Sequence, residues 1–159
     1  MQQRGRAVLV LFPEPSVWLG VLSFMATLDH IGIAVTDLPG MKRLLSLLGL
    51  NVEPPQAIPE QNVVAHFVPL PANQSRLELL EPLHEQGPIA QFVQKRGPGI
   101  HHLSFSVRKG ELEPLCVKLR AEGYRVLYDQ PRSGAHQMKI NFIHPSSAGG
   151  ILIEVMEPG

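Results

Sequence analysis

Two histidines and two glutamates recur at matching places in the two halves of this 159-residue chain. The first half opens on Leu28-Asp29-His30-Ile31-Gly32-Ile33-Ala34-Val35 and closes on Leu77-Glu78-Leu79-Leu80-Glu81-Pro82. The second opens on Ile100-His101-His102-Leu103-Ser104-Phe105-Ser106-Val107 and closes on Leu152-Ile153-Glu154-Val155-Met156-Glu157-Pro158. His30 and His102 stand 72 positions apart, and Glu78 and Glu154 stand 76 apart. Two imidazoles and two carboxylates make a mixed nitrogen and oxygen set. Such a set suits a divalent ion of borderline or hard character and leaves positions for water or substrate. A glutamate inside so apolar a strand is tolerated when it is paired, hydrogen-bonded or metal-bound. Two copies of one unit place equivalent residues around a pseudo-twofold axis, so His30, Glu78, His102 and Glu154 are expected to converge on one metal. The competing reading is a polar core without metal, each imidazole neutralising a carboxylate.

Alternation decides which side chains can reach that point. Over 28–35, His30, Gly32 and Ala34 share one face, while Ile31, Ile33 and Val35 form the apolar face that packs on a helix. The same rule turns His102 inward and makes His101 its rival, because Leu103, Phe105 and Val107 are apolar. Glu78 shares its face with Arg76 and Leu80, and Glu154 with Leu152 and Met156. His66, His84, His136 and His144 are expected at the surface or behind the ligands.

The elements that hold these residues follow a repeated order. Asp37 caps a first helix with Leu44, Leu45, Leu47 and Leu48 on its apolar side and Gly49 at its end. A strand begins at Asn51 and is cut short by Pro54-Pro55. Strands over 63–69 and 76–81 flank a turn at Pro71-Ala72-Asn73. A linker helix within 84–98 carries an early proline and a glycine stop. After it come a strand, a second helix over 111–123 with Leu112, Leu115, Cys116 and Leu119 facing inward, and strands over 124–129, 137–144 and 150–156. The fold class expected is α+β: paired βαβββ modules at 27–83 and 99–157 form a curved eight-stranded sheet around a metal site, within one domain over 27–159.

Composition narrows the partners. Charged residues make up 18% of the chain, and 14 basic residues balance 14 acidic ones. No nucleic acid or anionic membrane partner is therefore expected. The single cysteine, Cys116, excludes an intrachain disulfide, fits a reducing cytoplasmic setting and reads as a buried inert thiol. Residues 1–26 form an extension in which Arg4 and Arg6 precede an apolar stretch broken by Pro13-Glu14-Pro15. Its expected nature is a poorly ordered tail or an overextended start, since no uninterrupted run reaches the roughly 20 apolar residues of a membrane span.

Longer strings resemble the vicinal oxygen chelate superfamily and, within it, the methylmalonyl-CoA epimerase family. They are LDHIGIAV at 28–35, PEQ at 59–61, LELLEPL at 77–83, PIAQFVQKRGPGIHHLSFSV at 88–107, and FIHP at 142–145 followed by GGILIEV. The resemblance covers residues 27–157. It implies a homodimer, a divalent metal with cobalt first (manganese, nickel, zinc and magnesium after it), an acyl-CoA substrate and interconversion of (R)- and (S)-methylmalonyl-CoA. His30, His102 and Glu154 fall on the family's ligand positions, and Glu78 falls where a fourth glutamate or glutamine belongs. The chain departs from the pattern at Ala65, where some members carry a glutamate proposed as base, and at Gln137 and Ser146. Glu154 and Glu78 are then the best available catalytic bases, ahead of Glu60 and His66. Two other readings stay open: a lyase like glyoxalase I, and a ligand-binding member without catalysis.

Overall fold

The computed structural model describes residues 24–71 and 75–159. Residues 1–23 of the extension expected over 1–26, and the turn positions 72 and 73, lie outside these residues. Eight strands form one sheet: β1 (Thr27–Ala34), β2 (Gln56–Ile58), β3 (Val63–Pro69), β4 (Arg76–Pro82), β5 (Gly99–Ser106), β6 (Arg132–Ser133), β7 (Met138–Ile143) and β8 (Leu152–Pro158). Three helices accompany them: α1 (Leu38–Leu47), α2 (Pro88–Arg96) and α3 (Leu112–Ala121). The spatial order is β2-β3-β4-β1-β5-β8-β7-β6. It reads as one module beside its own mirror in sequence: β1 matches β5, β4 matches β8, and β3 matches β7. The first strands of the two modules pair antiparallel at the centre, and each pairs parallel with the last strand of its own module. The four strands bearing the repeated His and Glu residues are therefore the four central neighbours.

Burial follows from the periodicities. Ile33 and Val35 pack with Leu45, Val68 and Leu79 under α1. Leu112 and Cys116 of α3 pack with Ile143 and Val155. Cys116 is buried, and burial pushes its thiol up from its ordinary range, as expected of an unreactive core cysteine. On the other face of the sheet, Ala34, Phe67 and Leu80 gather under Ile89 of the linker helix. Asp37 caps α1 by accepting from the Gly40 amide at 2.9 Å. Among the described residues, no helix is long and apolar enough to cross a membrane.

Three expectations fail for local reasons. Only Leu45 of the expected helix face is buried, whereas Leu44, Leu47 and Leu48 are exposed, since a ten-residue helix shows the sheet just one narrow stripe. Residues 51–55 form no strand; the proline pair delays pairing until Gln56. Residues 124–129 make a single bridge, between Val126 and Ile143. There the Asn141 side chain accepts from the Tyr128 amide at 3.1 Å and donates to the Tyr128 carbonyl at 2.9 Å, satisfying groups that a strand ladder would otherwise use. The short β6 takes the edge instead.

The α1 correction can be checked by urea denaturation. Leu45→Ala should cost about 2–4 kcal/mol, and Leu47→Ala no more than about 0.5 kcal/mol.

Candidate metal centre

The strand register sets the donors in two adjacent rows on one face. Glu78, Gly32, His102 and Leu152 lie side by side across β4, β1, β5 and β8, and so do Arg76, His30, Ser104 and Glu154. Small residues, Gly32 and Ser104, occupy the middle of each row and leave room for the larger side chains to close over them. A Cβ on Gly32 would overlap the His102 ring. The donors meet: His30 Nε2 is 3.0 Å from His102 Nε2, 3.3 Å from Glu78 Oε2 and 3.4 Å from Glu154 Oε2. His102 Nε2 is 3.5 Å from Glu78 Oε2. His30, Glu78 and His102 offer ligand atoms all within 4.8 Å of one another, and Glu154 joins them through His30.

These spacings are those of atoms sharing one ion. Ligands about 2.1 Å from a metal sit roughly 3.0–3.4 Å apart at right or tetrahedral angles. The cavity they line, about 30 Å³, is of the size of one ion or water. All four residues are buried.

Each histidine is held from behind in the same way. Leu28 pairs with Phe105 but His30 with Ser104, so Asp29 is the extra residue of a β-bulge and its carboxylate lies 2.8 Å from His30 Nδ1. A carboxylate can only accept, so His30 donates from Nδ1 and turns Nε2 toward the centre. Arg76 donates to the same Asp29 oxygen at 3.0 Å. In the second module the bulge falls between His102 and Ile100, leaving His101 as the extra residue, its Nδ1 3.0 Å from His102 Nδ1. Asp29 and His101 thus fill equivalent places.

Electrostatics shows what the centre lacks. Burial drives the Glu78 and Glu154 carboxyls upward; His30 partly offsets this at Glu78, and a Ser104 hydrogen bond does so at Glu154. Burial pulls His30 down, yet the Asp29 hydrogen bond and the two glutamates outweigh it and hold its pKa above the usual value. Burial and the neighbouring His30 and His101 push His102 well below the imidazole range, and burial takes His101 to about 4. The group as a whole favours one added positive charge. Two carboxylates and two imidazole lone pairs fit a divalent cation on that ground as well as by spacing.

The other expected residues scatter. His66 faces away and bonds Glu81 at 2.8 Å. His84 is exposed, and His144 bonds Ser146 at 2.8 Å. The Glu60 side chain lies outside the described residues. Ala65 is fully buried in the apolar cluster with Phe67 and Leu80. Sequence reasoning passed over Asp29, Gly32 and Ser104. Asp29 adjoins His30 in the chain, but strict alternation sends it to the opposite face, and only the bulge brings it round.

A family model for the glyoxalase/bleomycin resistance protein/dioxygenase superfamily matches residues 29–142. An ethylmalonyl-CoA/methylmalonyl-CoA epimerase from Cereibacter sphaeroides is 37% identical over 131 residues, covering 80% of this chain and 95% of that protein. The chain belongs to the methylmalonyl-CoA epimerase family of that superfamily. A crystal structure of methylmalonyl-CoA epimerase from Mycobacterium tuberculosis superimposes with a TM-score of 0.75 at 38% identity, over 83% of this chain and 87% of that one. A methylmalonyl-CoA epimerase solved in complex with methylmalonyl-CoA and NH4+ gives a TM-score of 0.74 at 31% identity, over 84% of this chain and 95% of that one. Against this epimerase family background, the apolar setting of Ala65 leaves strand β3 without a carboxylate at that position.

Calorimetric titration with Co2+ should separate the two adjacent histidines. His102→Ala should abolish binding, while His101→Ala should weaken it by about 10–100-fold, the usual effect of removing a group behind a ligand. Gly32→Ala should keep the circular dichroism spectrum and lose at least about tenfold in affinity, because the His102 ring must move. Equal affinity in Gly32→Ala and the wild type would contradict the steric account.

Proposed function

We propose that this chain is a metal-dependent methylmalonyl-CoA epimerase, acting by removal and return of the substrate α-proton. The convergence of His30, Glu78, His102 and Glu154 at 3.0–3.5 Å carries the reading; the relatives' names supply the substrate class. The four residues are proposed as ligands of one divalent ion, cobalt first on the family resemblance. When bound, such an ion supplies the positive charge that lowers the cost of an enolate oxygen. The two modules, 27–83 and 99–157, form one unit on this reading, since each holds only half of the donor set.

The chain's own residues do the rest. An α-carbon between a thioester and a carboxylate is a far weaker acid than a carboxylic acid, and each unit of mismatch costs about 1.36 kcal/mol. A proton acceptor in a buried site is therefore needed. Glu154 and Glu78 are assigned that role at the carboxylate oxygen not turned toward His30. Arg76 lines the same cavity, anchored by Asp29, and offers a cation to an anionic substrate. A larger cavity of about 450 Å³ shares His102 and Glu154 with the centre and is walled by Leu80, Ile89, Ile140 and Phe142. It suits an acyl-CoA, with these apolar walls for the chain and Arg132, Tyr128 and Gln61 among its polar groups. We also read the protein as cytoplasmic, on its one buried cysteine, and as a homodimer, on the family resemblance and on the two edge strands, β2 and β6, of the described sheet.

Proton NMR of methylmalonyl-CoA in deuterium oxide tests the activity. The metal-loaded protein should wash out the α-proton and interconvert the epimers, and chelation should stop both. Glu154→Gln should reduce epimerisation to background. Absence of exchange by the metal-loaded wild type would leave a binding role as the better account. Restoring the ion at 100 times its dissociation constant should add about 2.7 kcal/mol of stability, read as a higher Tm. Light scattering at micromolar concentration should give twice the chain mass.

A further inference from the structure

The proposed reaction needs a proton-transferring group on each face of a planar enolate. We propose that His136 is the catalytic base of the face opposite the glutamates; the assignment rests on the epimerase reading. His136 lines the same small cavity as all four donors, together with Gln61 and Arg76. Among the described residues, it is the one imidazole lining that cavity apart from His30 and His102. It is exposed and arrives from the second module's loop before β7, not from the central strands that carry the four donors. Its ring rests on Phe67, with centroids 5.7 Å apart and a 56° tilt, and Phe67 is itself fixed between β3 packing and the Arg76 guanidinium. The loop is strained to deliver it. His136 and Gln137 both take left-handed backbone conformations, with φ of 53° and 60°, at positions without glycine. Such strain persists where the surroundings impose it and clusters at functional positions. Ala65 on the same strand has no titratable group, and Phe67 two residues on supports an imidazole.

The step balances without a further reagent. The α C–H bond of one epimer breaks, its electron pair forms the enolate C=C, and the thioester oxygen takes the charge. The proton goes to a ring nitrogen of His136, giving imidazolium. The opposite face of the carbon receives a proton from a carboxyl of the Glu78 and Glu154 pair, and solvent resets both groups. The other epimer runs the same path with the roles exchanged.

The test uses His136→Gln and His136→Ala in the full chain, with each epimer of methylmalonyl-CoA supplied separately in deuterium oxide. Calorimetry with Co2+ provides a readout independent of activity. We expect wild-type metal affinity in both variants and epimerisation slowed about 100- to 10,000-fold with KM changed only a few-fold. One epimer should still exchange its α-proton, without inversion, through the glutamate side, while the other should not exchange. Wild-type turnover in both variants, equal loss of exchange from both epimers, or loss of Co2+ binding would overturn the assignment. If the metal-loaded wild type exchanges neither epimer, the epimerase reading itself fails, and the assignment falls with it for that separate reason.

Discussion

The structure is organised around the close approach of four electron-pair donors in a buried place. Glu78 and Glu154 alone would be a like-charged pair removed from water, and His30 and His102 turn two ring nitrogens toward each other at 3.0 Å. Left to itself this arrangement is unfavourable, because desolvation and mutual repulsion act in the same direction. The raised carboxyls and the raised His30 are three signs of one deficit of positive charge. A site of this kind is maintained by the stability of what surrounds it. That support comes from the apolar clusters on both faces of the sheet, which lock the four central strands in register.

Duplication makes the convergence geometrically inexpensive. The antiparallel pairing of β1 with β5 puts both repeats of the His strand at the centre, and parallel pairing puts each Glu strand directly outside its own His strand. Each His is then within two strands of every other donor, and the two Glu strands flank the His pair. The second glutamate of each closing strand shows the opposite use of the same motif. Glu81 and Glu157 face the other side of the sheet, where Glu81 meets His66 and Glu157 accepts from the Leu112 amide at 2.9 Å to hold the start of α3. One three-residue step along a strand separates a group for chemistry from a group for architecture, since side chains alternate.

The two modules have diverged where they back the histidines. A bulge supplies Asp29 behind His30 and His101 behind His102, so one ring is paired with a carboxylate and the other with a neutral imidazole. This breaks the electrical symmetry of a geometrically symmetric site. His30 is held toward its charged form and His102 toward its neutral form. An asymmetric substrate, with a thioester on one side and a carboxylate on the other, meets an asymmetric centre. The proposed bases continue the pattern, with carboxylates on one face and an imidazole on the other.

Residue order alone determined a great deal of this protein. The repeat gave away the paired modules, the period-two pattern turned Glu78 inward and chose His102 over His101, and the turn signals bounded α2 and β3 closely. These are local properties, set by which face an apolar strand must bury. Tertiary structure decided the rest. Leu44, Leu47 and Leu48 look like core in the chain, but α1 has sheet beneath only one stripe. Residues 124–129 look like a strand, but a side chain of β7 claims the Tyr128 backbone. Asp29 is a functional neighbour of His30 only because a bulge interrupts alternation, and His136 enters the cavity only because a strained loop folds back over Phe67. Periodicity reports which way a regular strand faces; it carries no information about bulges, loops or which distant surface a short helix will find.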